Sequence, residues 1–354
     1  MEILKFLVIL LVLVSVHEFG HFIAAKIFNV YVSEFALGFG PKIFSHKGKE
    51  TEFSIRMLPL GGFAAMAGED VDQDEQLAHL NLPVERTLKG VNRLKQFIIM
   101  FAGAFMNIVL AFIIFCGIAA TQDTINPQPI IGVVSNDSPA AKAGLKTGDL
   151  VTSIEQDKHT TKITTYSDLS IFTSLNKEGQ AYTMNVLRDN KNVSLDIKPA
   201  YVKEEERYIA GFSPSVLAAS KNPKDIIVNG FNMSVDGAKS IFTSLKMLFT
   251  GKAGVNDLSG PVGMIEMTKD IDSSSGIVGL INFTALLSMN LAIFNLLPIP
   301  ALDGGRILIL IIEAVTRRKF SSELESRIIG VSFALLMALI VFVTFNDILK
   351  IFNG

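Results

Sequence analysis

A short run of ionisable residues inside an apolar segment places the strongest constraint on this chain. Residues 4–25 are largely apolar, yet they contain His17, Glu18 and His21 in the pattern H-E-x-x-H. On a helix the two histidines lie four residues apart, so both imidazoles project from one face. Ionisable groups at membrane depth cost about 2.5–3.5 kcal/mol each on insertion scales and by default mark a functional site. The segment therefore predicts a membrane helix that carries a functional polar cluster.

The same pattern predicts a zinc site. Two imidazole nitrogens on one helix face can hold one Zn²⁺ ion, which lowers the pKa of a bound water to about 7. Glu18 lies beside the histidines and would take the proton of that water during attack on a carbonyl. A single helical histidine is more often a satisfied core residue. Three ionisable residues within five positions of a membrane segment are hard to explain by packing.

Composition supports membrane segments and excludes several kinds of site. Hydrophobic residues make up 49% of the 354 residues, and the mean hydropathy of +0.42 is high for a soluble protein of this length. The net charge of −2 predicts no strongly charged partner and no nucleic-acid binding. The one cysteine, Cys116, excludes both a disulfide framework and a thiolate zinc cluster. The ionisable residues in the first segment argue against a cleaved signal peptide.

The apolar pattern predicts a polytopic α-helical membrane protein with four transmembrane helices, a membrane-associated β segment and an inserted α/β domain. The expected spans are residues 2–25, 97–120, 277–297 and 328–345. Small residues at 102–104 and Asn107 in the second span predict close helix packing and hydrogen bonds between helices. The third span breaks at Pro298 and Pro300, and residues 307–315 are expected to continue it beyond the break.

The remaining stretches define the predicted domain organisation. Residues 1–121 form an N-terminal membrane part, in which turn-punctuated strands after Lys26 would leave a sheet edge able to pair with an extended peptide. Residues 122–200 contain short strand-like runs and the helix start Ser138-Pro139, and predict a compact α/β domain. Residues 201–276 form a linker with an amphipathic helix expected on the membrane surface. Residues 277–354 form the C-terminal membrane part.

Basic residues in the short connections predict the orientation. Residues 26–95 and 306–327 are rich in Lys and Arg, which places both segments in the cytoplasm by the positive-inside rule. The domain at 122–200 is then extracytoplasmic, and the protein is expected in the cell (inner or cytoplasmic) membrane of its source.

A third metal ligand is expected at Asp303. Catalytic zinc usually takes three protein ligands, and the other histidines lie outside the predicted spans. The first and third spans run in the same direction, so Asp303 can meet His17 and His21 at similar depth. Prolines and glycines around Asp303 unwind the helix, which is tolerated in a membrane where the backbone is buried in protein or lines a wet cavity. The alternative is a helix end with a capping aspartate.

Five motifs together resemble the bacterial site-2 protease family, the zinc metalloproteases of the regulator-of-sigma-E type. They are H-E-F-G-H at 17–21, A-G-x-x-x-N at 102–107, S-P-A-x-x-A-G-L-x-x-G-D at 138–149, L-S-G-P-V-G at 258–263 and N-x-x-P-x-P-x-L-D-G at 295–304. The third of these is similar to the recognisable element of bacterial protease PDZ domains. The resemblance covers essentially the whole chain, with one PDZ domain where some members have two.

The resemblance implies a zinc endopeptidase that cleaves single-span membrane proteins within the lipid bilayer, typically anti-sigma factors and signal-peptide remnants. It implies that Zn²⁺ is held by His17, His21 and Asp303, and that Glu18 is the base. Asn290 and Asn295 match asparagines thought to hold the substrate backbone. The stretch Leu58–Phe63, which includes Gly61 and Gly62, matches the edge that receives the substrate. The PDZ domain would bind a peptide C-terminus or exclude bulky substrates.

Two other classes compete with this interpretation. One is a PDZ-bearing membrane receptor or chaperone that retains a structural metal site. An intact Glu18 disfavours it, because a structural site does not need a base. The other is a metal transporter, which the inserted soluble domain disfavours.

Overall fold

A computed structural model describes residues 2–69, 80–157, 159–176, 178–203, 207–250, 259–318 and 320–353. The helices are α1 Glu2–Ile27, α2 Arg93–Thr121, α3 Pro139–Lys142, α4 Tyr166–Leu175, α5 Pro223–Phe249, α6 Pro261–Asn295, α7 Asp303–Thr316 and α8 Ser322–Asn353. The strands are β1 Val32–Lys47, β2 Glu52–Met66, β3 Thr124–Ile125, β4 Ile131–Val134, β5 Leu150–Gln156, β6 His159–Lys162, β7 Tyr182–Arg188, β8 Lys191–Ile197, β9 Ala200–Val202, β10 Arg207–Ile209, β11 Phe212–Pro214 and β12 Val216–Leu217. The chain divides into two compact units, residues 1–114 with 241–354 and residues 115–240.

Four helices of the described residues are long and apolar enough to cross a membrane, as the sequence predicts. They are α1, α2, α6 and α8. The third differs in extent, because α6 begins at Pro261 and changes direction at Gly276, whose φ of 57° and ψ of −150° are not helical. The expected start near residue 277 therefore corresponds to this bend. The expected continuation at 307–315 is instead a separate helix, α7, because the backbone is not helical between Asn295 and Asp303.

The β segment of the first unit is built from two long antiparallel strands that fold back on themselves. Phe35 of β1 is in register with both Phe53 and Ala64 of β2, so the two ends of β2 flank β1 on opposite sides. The chain can bend this sharply because Gly38 adopts a φ of 90°, which other residues rarely adopt. The C-terminal end of β2 therefore lies at one edge of the sheet, where its outer side is not paired with β1.

The second unit contains a four-stranded antiparallel sheet in the order β6-β5-β7-β8. Ser138 caps α3 by accepting a hydrogen bond from the Ala141 amide at 3.1 Å, and Pro139 occupies its first turn. This is the local structure that the Ser-Pro start predicts. Strands after residue 200 belong to the same unit, since β11 pairs with β4 and β12 with β3. The pairing therefore extends past the expected limit of residue 200.

The buried carboxylate of Asp347 on α8 fixes the start of α6. One of its oxygens accepts hydrogen bonds from the amides of Gly260 and Gly263, both at 2.8 Å. Glycine suits these positions because a Cβ atom would lie 2.9 Å and 3.1 Å from that oxygen. Pro261 occupies the first turn, where a missing N–H costs nothing. These contacts explain most of the L-S-G-P-V-G motif, whose Leu258 lies outside the described residues.

We expect Asp347→Ala to lower the free energy of unfolding by about 1–3 kcal/mol, because the buried amide of Gly260 and the partly buried amide of Gly263 lose their acceptor. The measurement is thermal unfolding of the detergent-solubilised protein. Asp347→Asn is the matched control, since its amide oxygen can still accept from both groups. Equal losses for the two variants would show that the negative charge, and not the acceptor, stabilises the start of α6.

Candidate metal centre

The two histidines of H-E-x-x-H lie on one buried face of α1. Their Nε2 atoms are 3.1 Å apart, and each side chain is almost fully buried. The rings meet edge to face with centroids 4.8 Å apart. This arrangement follows from their spacing of four residues on a helix.

Asp303 completes the cluster from α7. Its Oδ2 atom lies 3.1 Å from Nε2 of His17 and 3.3 Å from Nε2 of His21. The non-helical segment before α7 folds back tightly, because Gly304 and Gly305 leave space that a Cβ would fill at 2.2–2.3 Å from backbone carbonyls. Asp303 belongs to the first turn of the helix, and the N-cap position is occupied by Leu302. The alternative of a capping aspartate at the N-cap does not fit this geometry.

The three residues fit a zinc ion. Their ligand atoms all lie within 4.8 Å of one another, and Asp303 Oδ2 is buried with no hydrogen-bond partner among the described residues. Bonds of about 2.0–2.1 Å in tetrahedral geometry place zinc ligands roughly 3.3 Å apart, close to the distances found. Two imidazole nitrogens and a carboxylate oxygen form a donor set that zinc accepts.

Glu18 lies beside this cluster without joining it. Its Oε2 atom accepts a hydrogen bond from the amide of Ala64 at 3.1 Å, at the outer edge of β2. Glu18, His21 and Asp303 line one cavity of about 130 Å³. The other lining residues are Ala64, Met66, Glu69, Leu88, Met100, Ala301, Leu302 and Arg306. The cavity therefore brings a carboxylate, the candidate metal ligands and a sheet edge together.

Comparison with known proteins identifies the family. The family model of peptidase family M50 matches residues 5–339. A predicted zinc metalloprotease of Clostridium acetobutylicum is 36% identical over 346 residues, which cover 97% of this chain and 96% of that protein. The regulator of sigma-W protease RasP of Bacillus subtilis is 32% identical over 422 aligned positions, which cover 99% of each chain. The chain belongs to peptidase family M50.

Membership of this family confirms the resemblance to site-2 proteases. The chain is a zinc metalloprotease and a multi-pass membrane protein. The expectation of an enzyme is therefore confirmed, and the receptor, chaperone and transporter alternatives are not supported. His17, His21 and Asp303 are the one cluster of three or more His, Cys, Asp or Glu side chains that could hold a metal within the described part of this M50 peptidase.

Polar groups behind the histidines orient their rings. His21 Nδ1 lies 2.8 Å from the carbonyl oxygen of Ile99. His17 Nδ1 lies 3.4 Å from the side-chain nitrogen of Asn107. The sequence predicts Asn107 as an interhelical contact, and its backbone carbonyl does accept from Ser288 at 2.8 Å. The contact of its side chain with His17 was not predicted, although A-G-x-x-x-N places Gly103 and Asn107 on one helix face.

Of the two predicted substrate-binding asparagines, the structure brings only Asn295 to the cluster. Its side-chain nitrogen lies 3.4 Å from His17 Nε2. Asn290 is half-buried and makes no side-chain hydrogen bond within the described residues. Five residues correspond to about 500° of helix rotation, so the two side chains point roughly 140° apart.

The predicted edge stretch Leu58–Phe63 lies in β2, partly next to the site. Leu58 pairs with Phe39 and is exposed, and Gly62 pairs with Leu37. Gly61 adopts a φ of 143°, and a Cβ there would lie 2.6 Å from the ring of Phe39. The strand reaches Glu18 only at Ala64, one residue after the predicted stretch ends.

Close packing of α1 and α2 depends on two glycines. A Cβ atom on Gly103 would lie 2.3 Å from Nε2 of His21 and 2.8 Å from Cε1 of His17. A Cβ on Gly20 would lie 2.3 Å from the carbonyl oxygen of Ala102. The small residues of α2 allow the close packing of helices that the sequence predicts. They also leave space for the two imidazole rings.

We expect Gly103→Ala to weaken zinc binding by roughly tenfold or more, because the methyl group displaces both rings from their shared position. Zinc affinity measured by competition with a chelator tests this. Gly117→Ala on the same helix is the control, since a Cβ there has nothing within 4 Å. Normal zinc affinity in Gly103→Ala would show that the rings tolerate displacement.

Proposed function

We propose that this M50 peptidase cleaves transmembrane segments of single-span membrane proteins inside the bilayer, in regulated intramembrane proteolysis. Anti-sigma factors and signal-peptide remnants are the expected substrates, and the name of the Bacillus subtilis relative, regulator of sigma-W protease, supports the first of these. The main supporting observation is that Glu18 lines one cavity with two of the three candidate zinc ligands, in helices suited to a membrane.

The ligands are His17, His21 and Asp303, and Glu18 is the general base. Zinc held by these residues supplies a Lewis acid that activates water and polarises the scissile carbonyl. Glu18 takes the proton of the attacking water at its carboxylate and returns it to the leaving amine. Because α1 holds Glu18 next to both histidines, the base and the ligands keep a fixed relation to each other.

A substrate helix must unwind before it is cut, because its carbonyls are shielded by hydrogen bonds of the helix. Each backbone group left unpaired in hydrocarbon costs several kcal/mol, so the enzyme must provide partners. The outer edge of β2 can do so by adding the substrate as an extended strand. Alternate residues of a strand direct their amides to the same side, so Gly62 and Met66 share the side of Ala64.

Pairing of a substrate at this edge would also affect the base. The amide of Ala64 donates to Glu18 in the free enzyme. A substrate carbonyl that pairs with Ala64 takes this hydrogen bond and leaves the carboxylate of Glu18 available to the water. Substrate docking and readiness of the base would then be coupled through one amide.

The second unit is proposed to be a single PDZ domain on the extracytoplasmic side. Its capped Ser-Pro helix, its four-stranded sheet and the surrounding motif support this assignment. It would select substrates by binding a newly exposed C-terminus or by excluding bulky ectodomains. The amphipathic helix α5 would lie on the membrane surface, since Phe231 and Phe242 expose more than half of their side chains.

The decisive experiment compares Glu18→Gln with Asp303→Ala in the purified protein, using tagged single-span substrates. We expect Glu18→Gln to abolish cleavage and to retain zinc, because the residue acts as base and not as ligand. Asp303→Ala should lose both zinc and activity, since two histidines leave the coordination incomplete. Loss of zinc in Glu18→Gln, or full zinc in Asp303→Ala, would overturn the assignment.

Asn295→Ala is expected to lower turnover roughly tenfold without releasing zinc, because a partner for the unwound backbone is lost. Asn290→Ala, on another face of α6, is expected to have a smaller effect. Substrates with Gly or Pro near the cut should suffer less from either change, since less unwinding remains. Equal losses for helix-stable and helix-weakened substrates would contradict a role in unwinding.

Excision of residues 124–217 is expected to preserve cleavage but to widen the range of accepted substrates. The ends of this segment are paired, because Thr124 lies opposite Leu217, so a short linker can join the flanking residues. The four proposed catalytic and ligand residues all belong to the other unit. Complete loss of activity in an inserted, folded variant would show that the domain is needed for catalysis.

A further inference from the structure

Asn107 has a buried amide that the interhelical contact does not explain. The residue has no exposed surface, and its side-chain oxygen has no hydrogen-bond partner among the described residues. A buried amide oxygen without a partner costs about 1–3 kcal/mol. Its side-chain nitrogen meanwhile faces Nδ1 of His17 at 3.4 Å. The amide oxygen of Asn107 thus lacks a donor, and its amide nitrogen faces a histidine of the candidate metal cluster.

The position of the proton on each histidine ring explains both features of the Asn107 amide. When Nε2 of a neutral imidazole faces a metal, its lone pair is used there and the proton is on Nδ1. His21 places Nδ1 at 2.8 Å from the carbonyl oxygen of Ile99, which accepts that proton. His17 needs an equivalent acceptor, and the amide of Asn107 is the polar group at its Nδ1.

Rotation of the Asn107 amide by 180° gives its oxygen a donor and gives Nδ1–H of His17 an acceptor. The oxygen and the nitrogen exchange places with little change in shape. The oxygen then accepts from Nδ1–H of His17 and is no longer without a partner, while the amide nitrogen takes the place that the oxygen held. Two donors no longer face each other across the 3.4 Å contact.

We propose that Asn107 is a positioning residue whose side-chain carbonyl accepts a hydrogen bond from Nδ1–H of His17 and thereby fixes this histidine for zinc binding. This rests on the proposed role of His17 as a ligand. Outer partners of this kind hold the ring and the tautomer, and their removal typically weakens metal binding 10–100-fold. The two histidines then have matched supports on α2, one from a backbone carbonyl and one from a side chain.

The test measures zinc affinity of the full-length protein by chelator competition, and the visible spectrum of the Co²⁺-substituted protein. Asn107→Ala and Asn107→Leu lack an acceptor, and we expect both to bind zinc roughly 10–100-fold more weakly, with an altered Co²⁺ spectrum. Asn107→Asp retains the acceptor and is expected to bind within a few-fold of the unmodified protein. Ser288→Ala is the control, because it removes only the hydrogen bond to the backbone of Asn107.

Thermal unfolding in excess chelator separates this role from a purely structural one. A structural role predicts that Asn107→Ala lowers the melting temperature of the metal-free protein but leaves zinc affinity unchanged, which would overturn the proposal. Equal weakening in Asn107→Asp and Asn107→Leu would overturn it as well. His17→Ala separates the role of His17 from that of Asn107. Unchanged zinc affinity in His17→Ala would show that His17 is not a ligand, whereas lost affinity there with normal affinity in Asn107→Ala would exclude only the positioning role of Asn107.

Discussion

The structure depends on the burial of three lone-pair-bearing atoms that face one another within a helical membrane protein. The Nε2 atoms of His17 and His21 and the Oδ2 atom of Asp303 lie 3.1–3.3 Å apart. Such a cluster is unfavourable without a cation, because the buried carboxylate oxygen has no hydrogen-bond donor of its own in the described residues. A zinc ion held by these three proposed ligands would resolve this conflict, and the surrounding helices have to approach closely enough to bring the three atoms together.

Close approach requires small residues and a break in a helix. Gly103 leaves space for the imidazoles, and Gly304 and Gly305 allow the chain to fold back before α7. The break exposes backbone groups at membrane depth, and they are satisfied locally: Leu302 N–H donates to Ile299 at 2.8 Å, and Gly305 N–H donates to Leu302 at 3.0 Å. The irregular backbone is therefore limited to one short segment, and that segment brings Asp303, the proposed third ligand, to the two histidines.

The sequence could predict the parts that depend on local spacing. The four spans, the shared face of His17 and His21, and the convergence of Asp303 with them all follow from helix periodicity and topology. The contact of Asn107 with His17 could not be predicted, because it depends on the rotation of α2 relative to α1. The position of Ala64 beside Glu18 depends on how β2 folds back around β1, which alternation of residue types does not reveal. The ends of elements were also missed, since α6 continues through a bend at Gly276 and strands after residue 200 pair with earlier ones.

One of these unpredicted contacts, between Ala64 and Glu18, joins substrate binding to catalysis in the proposed mechanism. Glu18 lies on α1 between the two histidines, and its carboxylate accepts a hydrogen bond from the Ala64 amide at the edge of β2. A base that is hydrogen-bonded in the free enzyme is restrained until another group takes the donor. A substrate paired as an extended strand would take that donor, whereas a water molecule alone would compete for it less well, because it lacks the neighbouring hydrogen bonds of a strand. The Ala64 amide therefore has two proposed roles, which are to pair with the substrate backbone and to release the carboxylate of Glu18. Only an unwound substrate can pair with this amide, so only an unwound substrate can bring about both.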